Sequence, residues 1–184
     1  MINHPGEAFE HPLGAPYYTD THLQWRDSLR SFLSREVEPY IDQWDETGDV
    51  PMAAHRKCGE FGLTGMGYPE AYGGTSEGID VFHTLIAAQE LARLGSGGVA
   101  TALNTHSIGL PPVVNFADET LKQRIAPDVI AGNRIIALAI SEPSGGSDVA
   151  ALKTRAELKG DRYVVNGSKT FISGGIKADF YTVA

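Results

Sequence analysis

Residues 137–148 read ALAISEPSGGSD, and the reading of the fold turns on them. Their first residues finish the apolar run 134–140, RIIALAI, whose shortness and aliphatic content predict a buried strand. The strand runs straight into a turn. Gly145 and Gly146 let main-chain N–H groups come close to an anion or to the polar edge of a planar heterocycle. Ser144, Ser147 and Asp148 add side-chain hydrogen bonding. The residues alone leave a second reading open, in which this is a strand-end turn with capping residues and nothing more.

Downstream the texture stays β. Residues 154–158 and 163–166 favour strand, with a turn at Lys159-Gly160-Asp161 between them. Residues 171–173 and 180–183 read as two further strands. Upstream the periodicity is helical. Thr19 or Asp20 offers an N-cap, and Trp25, Leu29, Phe32, Leu33 and Val37 form one apolar stripe that Pro39 ends. Pro51 opens a short helix that Gly62 stops. Residues 65–74, GMGYPEAYGG, are loop. A third helix over 79–94 places Val81, Leu85, Ala88 and Ala92 on one face. Residues 99–116 read as a small-residue-rich, mostly buried helix interrupted at Pro111 and Pro112. Asp118 caps a last helix bearing Leu121, Ile125 and Val129, which Gly132 ends.

The expected fold class is therefore α+β: an N-terminal all-helical bundle followed by an incomplete antiparallel β-domain. The expected domains are a polar lead-in over 1–18, a helical domain over 19–133 and the first part of a β-domain over 134–184. Too few strands follow to close a sandwich or barrel.

Composition bounds the function. The 184 residues carry a formal charge of −8 with a sequence pI of about 5.2, which argues against nucleic-acid binding. The single cysteine, Cys58, excludes an intrachain disulfide and fits a reducing, cytoplasmic setting. No apolar run reaches the ~18 residues needed to span a bilayer, and the N-terminus is not patterned as a signal peptide. The six histidines show no metal-ligand spacing, so no metal is expected and they read as surface or core residues.

The order of residues adds more than their types. Ser-Glu-Pro-Ser-Gly-Gly-Ser-Asp at 141–148 resembles the Thr-Glu-Pro-x-Ala-Gly-Ser-Asp signature of the acyl-CoA dehydrogenase family. A second block, YVVNGSKTFI at 163–172 followed by Ser173, resembles the strand-turn-strand of that family. Tyr68-Pro69-Glu70-x-Tyr72-Gly73-Gly74 resembles its Pro-Glu-x-x-Gly-Gly loop. The resemblance covers residues 19–184.

What the resemblance implies is a flavoprotein with FAD as cofactor, an acyl-CoA thioester as substrate and an electron-transfer flavoprotein as electron acceptor. Leu138, Ile140 and Ser141 are expected along the isoalloxazine. Ser147 is expected near the FAD pyrophosphate and the phosphate end of acyl-CoA. Phe171 and Ile172 are expected at the flavin, Phe171 stacked on the face away from substrate, with Ser173 hydrogen-bonding near N5. Such donors favour the reduced flavin, and an aromatic ring behind it supplies contact. Glu142 and Pro143 read as structural.

There are two departures from the pattern: Leu138 stands where some members have Tyr, and Ser-Gly-Gly replaces the commoner Gly-Ala-Gly. Family members run to about twice this length, and their remaining half carries the glutamate that removes the α-proton. No catalytic base is assigned within these residues, and the chain alone is expected to be inactive. A homotetramer or dimer, in fatty acid metabolism, is expected of the full-length form. Related oxidases and monooxygenases of the same fold remain as an alternative. So does a non-catalytic unit that uses an unfinished sheet edge to pair with a partner.

Overall fold

The computed structural model describes residues 17–184; most of the expected lead-in therefore lies outside the described residues. These residues form two compact units. One takes the chain up to Asn104 together with Ile130–Asn133, the other Thr105–Val129 together with Arg134–Ala184.

The first unit is helical. Helix α1 (Asp20–Glu36) begins at Thr19, as its capping pattern predicts, and its stripe buries Leu29, Phe32 and Leu33. A turn of 3-10 helix at Glu38–Tyr40, with Pro39 in it, leads into α2 (Ile41–Thr47). The sequence reading has no helix there. Helix α3 (Met52–Phe61) follows, with Pro51 in extended conformation just before it, and Gly62 in the left-handed region ends it. Helix α4 (Val81–Ala92) and helix α5 (Gly97–Asn104) complete the unit. Leu29, Phe32, Trp44, Cys58, Leu91 and Leu103 belong to one buried cluster, in which each fully buried large apolar side chain contributes about 1.5–3 kcal/mol. Phe61 stacks on Phe32 at 4.3 Å and on Trp25 at 5.6 Å, fixing α3 against α1.

Helix α4 turns a different face inward from its apolar stripe. Val81 and Leu85 are exposed, as are Ala88 and Ala92, while His83, Ile86, Ala87, Glu90 and Leu91 are buried. An ion pair accounts for the choice. Arg30 of α1 donates from Nε to Glu90 Oε2 at 3.0 Å and from Nη2 to Oε1 at 2.7 Å, a two-pronged pairing that lets a carboxylate be buried. The crossing of α3 over residues 131–132 is tighter still. A Cβ placed on Gly59 would lie 2.4 Å from the Ala131 carbonyl, and one on Gly132 would lie 2.1 Å from the His55 oxygen. Here backbone meets backbone.

In the second unit the single interrupted helix expected over 99–116 resolves into separate pieces. Beyond α5, which belongs to the first unit, come α6 (His106–Gly109) and α7 (Pro111–Phe116), the latter started by its prolines. Helix α8 (Glu119–Ile130) has its start held by Asp118, whose Oδ1 accepts from Leu121 N–H at 2.8 Å. Strand β1 (Ile136–Ala139) packs on α6, and Thr182 donates its hydroxyl proton to the Gly109 carbonyl at 2.7 Å.

The strands do not form the one antiparallel sheet expected. Strand β1 pairs in parallel with β4 (Phe180–Val183), Ile136 opposite Phe180 and Ala139 opposite Val183. Strands β2 (Arg155–Lys159) and β3 (Arg162–Asn166) make a separate antiparallel hairpin. Asp179 sets the parallel register: its carboxylate accepts from Ile135 N–H at 2.9 Å and from Arg134 Nη1 at 2.6 Å, while its own N–H donates to the Ile135 carbonyl. No strand forms at 171–173, because Phe171 takes a left-handed conformation, φ 56°, which no ladder accommodates.

Candidate functional site

The chain leaving β1 is gripped at Ile140, Ser141 and Glu142 in succession. The Ile140 carbonyl accepts from Lys169 Nζ at 2.8 Å, and the Ser141 carbonyl accepts from Thr170 N–H at 2.9 Å. Glu142 and Gly145 then exchange N–H···O=C bonds at 2.9 and 3.0 Å, closing the turn tightly. The segment that follows β3 is thus laid alongside the segment that follows β1.

Glu142 holds this arrangement together. Its carboxylate is buried and accepts from the Thr154 hydroxyl at 2.6 Å, the Lys153 and Thr154 amides at 2.8 Å each and Lys169 Nζ at 3.0 Å. These donors, the Thr154 hydroxyl foremost, hold its carboxyl at about 2 against an ordinary value of 4.5. A buried carboxylate that holds four donors and whose carboxyl is kept so low is a poor base for a substrate. Gly167 is required beside it, since a Cβ there would stand 2.2 Å from Thr154 Oγ1.

Two residues beyond Lys169 the backbone is strained. Phe171 is the one non-glycine residue with positive φ among the described residues, and its side chain is 95% exposed. A left-handed L-residue costs roughly 1–2 kcal/mol. An exposed phenyl ring recovers none of that from packing, and strain of this kind collects where a ligand is to be met. Beside the ring lies a concavity of about 410 Å³ lined by Ala139, Lys169, Thr170, Ile172, Ile176 and Tyr181 among others. Its lining is mostly apolar, and the Tyr181 hydroxyl within it donates to the Gly175 carbonyl at 2.6 Å.

Of the residues singled out in the sequence, Phe171 and Ile172 line this concavity. Leu138, Ile140 and Ser141 lie half-buried on and just after β1, next to the segment that carries Phe171 but outside the lining. Ser147 and Ser173 are exposed, Ser147 in the glycine turn and Ser173 in the turn after Phe171. Sequence reasoning passed over Lys169 and Thr170, which dock the ring-bearing segment onto Ile140 and Ser141. A lysine two residues before an aromatic, in a strand-exit segment, was the available sign. The lone Cys58 lies in the helical core, where burial pushes its thiol up to about 12, so it supplies no nucleophile.

Chemically, this surface can take a flat aromatic group against Phe171, with hydroxyls and a glycine-rich run of amides at hand for its polar edge. Comparison with known proteins bears on the family. The family model described as acyl-CoA dehydrogenase, N-terminal domain, matches residues 19–133, and that described as acyl-CoA dehydrogenase, middle domain, matches 137–184. A Bacillus subtilis acyl-CoA dehydrogenase is 35% identical over 166 residues, covering 90% of this chain and 43% of that protein. The crystal structure of acyl-CoA dehydrogenase from Geobacillus kaustophilus superposes with a TM-score of 0.83 at 35% identity, over 92% of this chain and 44% of that one. An acyl-CoA dehydrogenase from Bacillus anthracis, complexed with FAD, gives 0.79 at 30% identity, over 91% and 29%. The chain spans less than half the length of each of these relatives. By sequence and by fold alike, it belongs to the acyl-CoA dehydrogenase family.

Proposed function

We propose that these residues form part of the flavin and acyl-CoA site of an FAD-dependent dehydrogenase that converts an acyl-CoA thioester to its 2-enoyl-CoA. The observation that carries the reading is Phe171: strained, almost wholly exposed, and pinned in place through Lys169 and Thr170 to the strand exit at Ile140 and Ser141. The residues present fit a flavin, since an exposed aromatic face stands beside a glycine-rich turn able to present donors.

FAD, when bound, supplies the acceptor for the two electrons removed from the substrate. The chain's own part is to bind and orient. Phe171 backs the ring system; Leu138, Ile140, Ile172 and the hydroxyls of Ser141 and Ser173 face its edge. Ser147 serves the phosphate end shared by cofactor and substrate. Lys169 and Glu142 keep these elements in register without touching substrate. The base that removes the α-proton belongs to sequence beyond these residues, and an electron-transfer flavoprotein takes the electrons onward. These residues are inactive alone, and the active form is a homotetramer or dimer in the cytoplasm.

The test is anaerobic. The purified protein carrying these residues together with the rest of its sequence should show flavin absorption, and short- to long-chain acyl-CoA should bleach the blue band. Phe171→Ala should weaken flavin retention by about tenfold, the loss of one stacking contact. Absence of bound flavin, or a flavin that no acyl-CoA reduces, overturns the proposal.

A further inference from the structure

Away from this site, the starts of α1 and α4 bring together three donor side chains. One atom from each of His22, Asp80 and His83 lies within 4.8 Å of the other two. His22 Nε2 and His83 Nδ1 each stand 2.9 Å from Asp80 Oδ1, and the two imidazole rings are 4.3 Å apart. Both histidines are buried, at 3% and 5% exposure, while the Asp80 side chain is half open to water. His22 is remote from the other two along the chain, so residue spacing does not announce the trio.

Hydrogen bonding alone leaves His83 in conflict. Oδ1 of Asp80 is approached by four donors: the two imidazole nitrogens, the Phe82 amide at 2.9 Å and the His83 amide at 3.3 Å. The Asp80 amide meanwhile points at His83 Nδ1 from 3.3 Å. That nitrogen cannot both accept the amide proton and donate one to Oδ1.

We propose that His22 Nε2, His83 Nδ1 and Asp80 Oδ1 form a binding site for a zinc-class divalent cation, which clamps the N-terminal ends of α1 and α4 together. Such a cation takes a lone pair from each atom and removes the crowding of protons. Two imidazoles and one carboxylate are a zinc-type donor set and a poor one for calcium or magnesium. Bonds of about 2.0–2.2 Å at tetrahedral angles place ligand atoms roughly 3.3 Å apart, so the observed 2.9 Å contacts need open by only a few tenths of an ångström. The half-exposed side of Asp80 leaves the fourth position to water. The Thr19 amide points at His22 Nδ1 from 2.9 Å, so loading Nε2 with a metal requires that contact to give way to one in which Nδ1–H donates to the Thr19 hydroxyl, 3.0 Å away.

The experiment uses the untagged full chain, stripped with chelator and titrated with zinc chloride by calorimetry and with cobalt(II) by visible absorption. One equivalent is expected to bind, with tetrahedral cobalt bands and a melting temperature that rises with metal concentration. His83→Gln and Asp80→Asn should each weaken binding at least about tenfold. Asn keeps the helix cap, so the second variant separates loss of the ligand from loss of the fold. No binding, a cobalt spectrum lacking the tetrahedral bands, or equal binding by both variants overturns the site.

Discussion

Replacing Gly59 by alanine sets two well-measured effects against each other. Gly59 lies inside α3, where the exchange by itself favours the helix by about 0.8–1.0 kcal/mol. The new Cβ, however, would meet the Ala131 carbonyl carbon and oxygen at 2.4 Å, and ordinary contact begins at 3.4 Å. The helix and the 131–132 strand of chain must therefore part by about 1 Å, and both sides of the contact are backbone, with no side chain to swing aside. Overpacking of this kind costs about 1–3 kcal/mol, and a contact between two backbones belongs at the upper end. Subtracting the helical gain leaves a net loss of about 2 kcal/mol. For a chain of this size that lowers the melting temperature by roughly 4–8 °C. Circular dichroism melts of the full chain measure it, with Gly97→Ala alongside as the control, since nothing lies within 4 Å of a Cβ at Gly97. Gly132→Ala should lose more than Gly59→Ala, because its φ of 71° adds a left-handed penalty of about 1–2 kcal/mol. A Gly59→Ala protein that melts at or above the wild type would refute the account of this crossing.

Phe171→Gly should raise the stability of the protein without ligand by up to about 1 kcal/mol, by releasing the left-handed strain, while flavin retention falls; a drop in both would show that the ring packs for the fold. Glu142→Gln should flatten the acid limb of stability. The folded carboxyl titrates at about 2 against an ordinary 4.5, so its contribution is complete above pH 4.5 and is lost as pH falls from there towards 2. Urea midpoints of the two proteins at stepped pH should converge across that window, and a constant gap between them would contradict the assignment. Arg30→Met removes the two-pronged partner of the buried Glu90 carboxylate, leaving it Arg93 Nε at 3.4 Å, and should cost about 3 kcal/mol. The double variant Arg30→Met with Glu90→Leu should recover most of it, and urea unfolding that shows no recovery would count against the pairing as the reason for α4's orientation.

Much of this fold could be read from spacing alone. The α1 stripe, the caps at Thr19 and Asp118 and the stops at Gly62 and Gly132 act within a few residues of themselves, and local rules suffice for them. Helix α2 escaped because its seven residues, IDQWDET, show no stripe and bury chiefly Trp44. The inward face of α4 escaped for a different reason: His83 and Glu90 are buried by partners on α1, and no pattern within α4 announces Arg30 or His22. The β1–β4 pairing depends on how Asp179 grips Ile135, a contact between distant residues. At the candidate site the motif pointed to Phe171 and Ile172, but not to the left-handed turn that presents the ring. Nor did it point to Lys169, whose role appears only when the two strand exits lie side by side.

The parallel pairing of β1 with β4 also orders events in time. Ile136 cannot find Phe180 until the hairpin of β2 and β3 and the turn after Phe171 have been made, so the pairing closes a loop of more than forty residues. At a synthesis rate of about 5–20 residues per second, β1 leaves the ribosome seconds before its neighbour. Through that interval it is a nascent aliphatic strand with an open edge, the kind of segment that chaperones capture. The helical unit closes without waiting for β4, since its last residues, Ile130–Asn133, precede β1. Slow phases in refolding should accordingly belong to the strand unit, with a rate set by the closure of that loop.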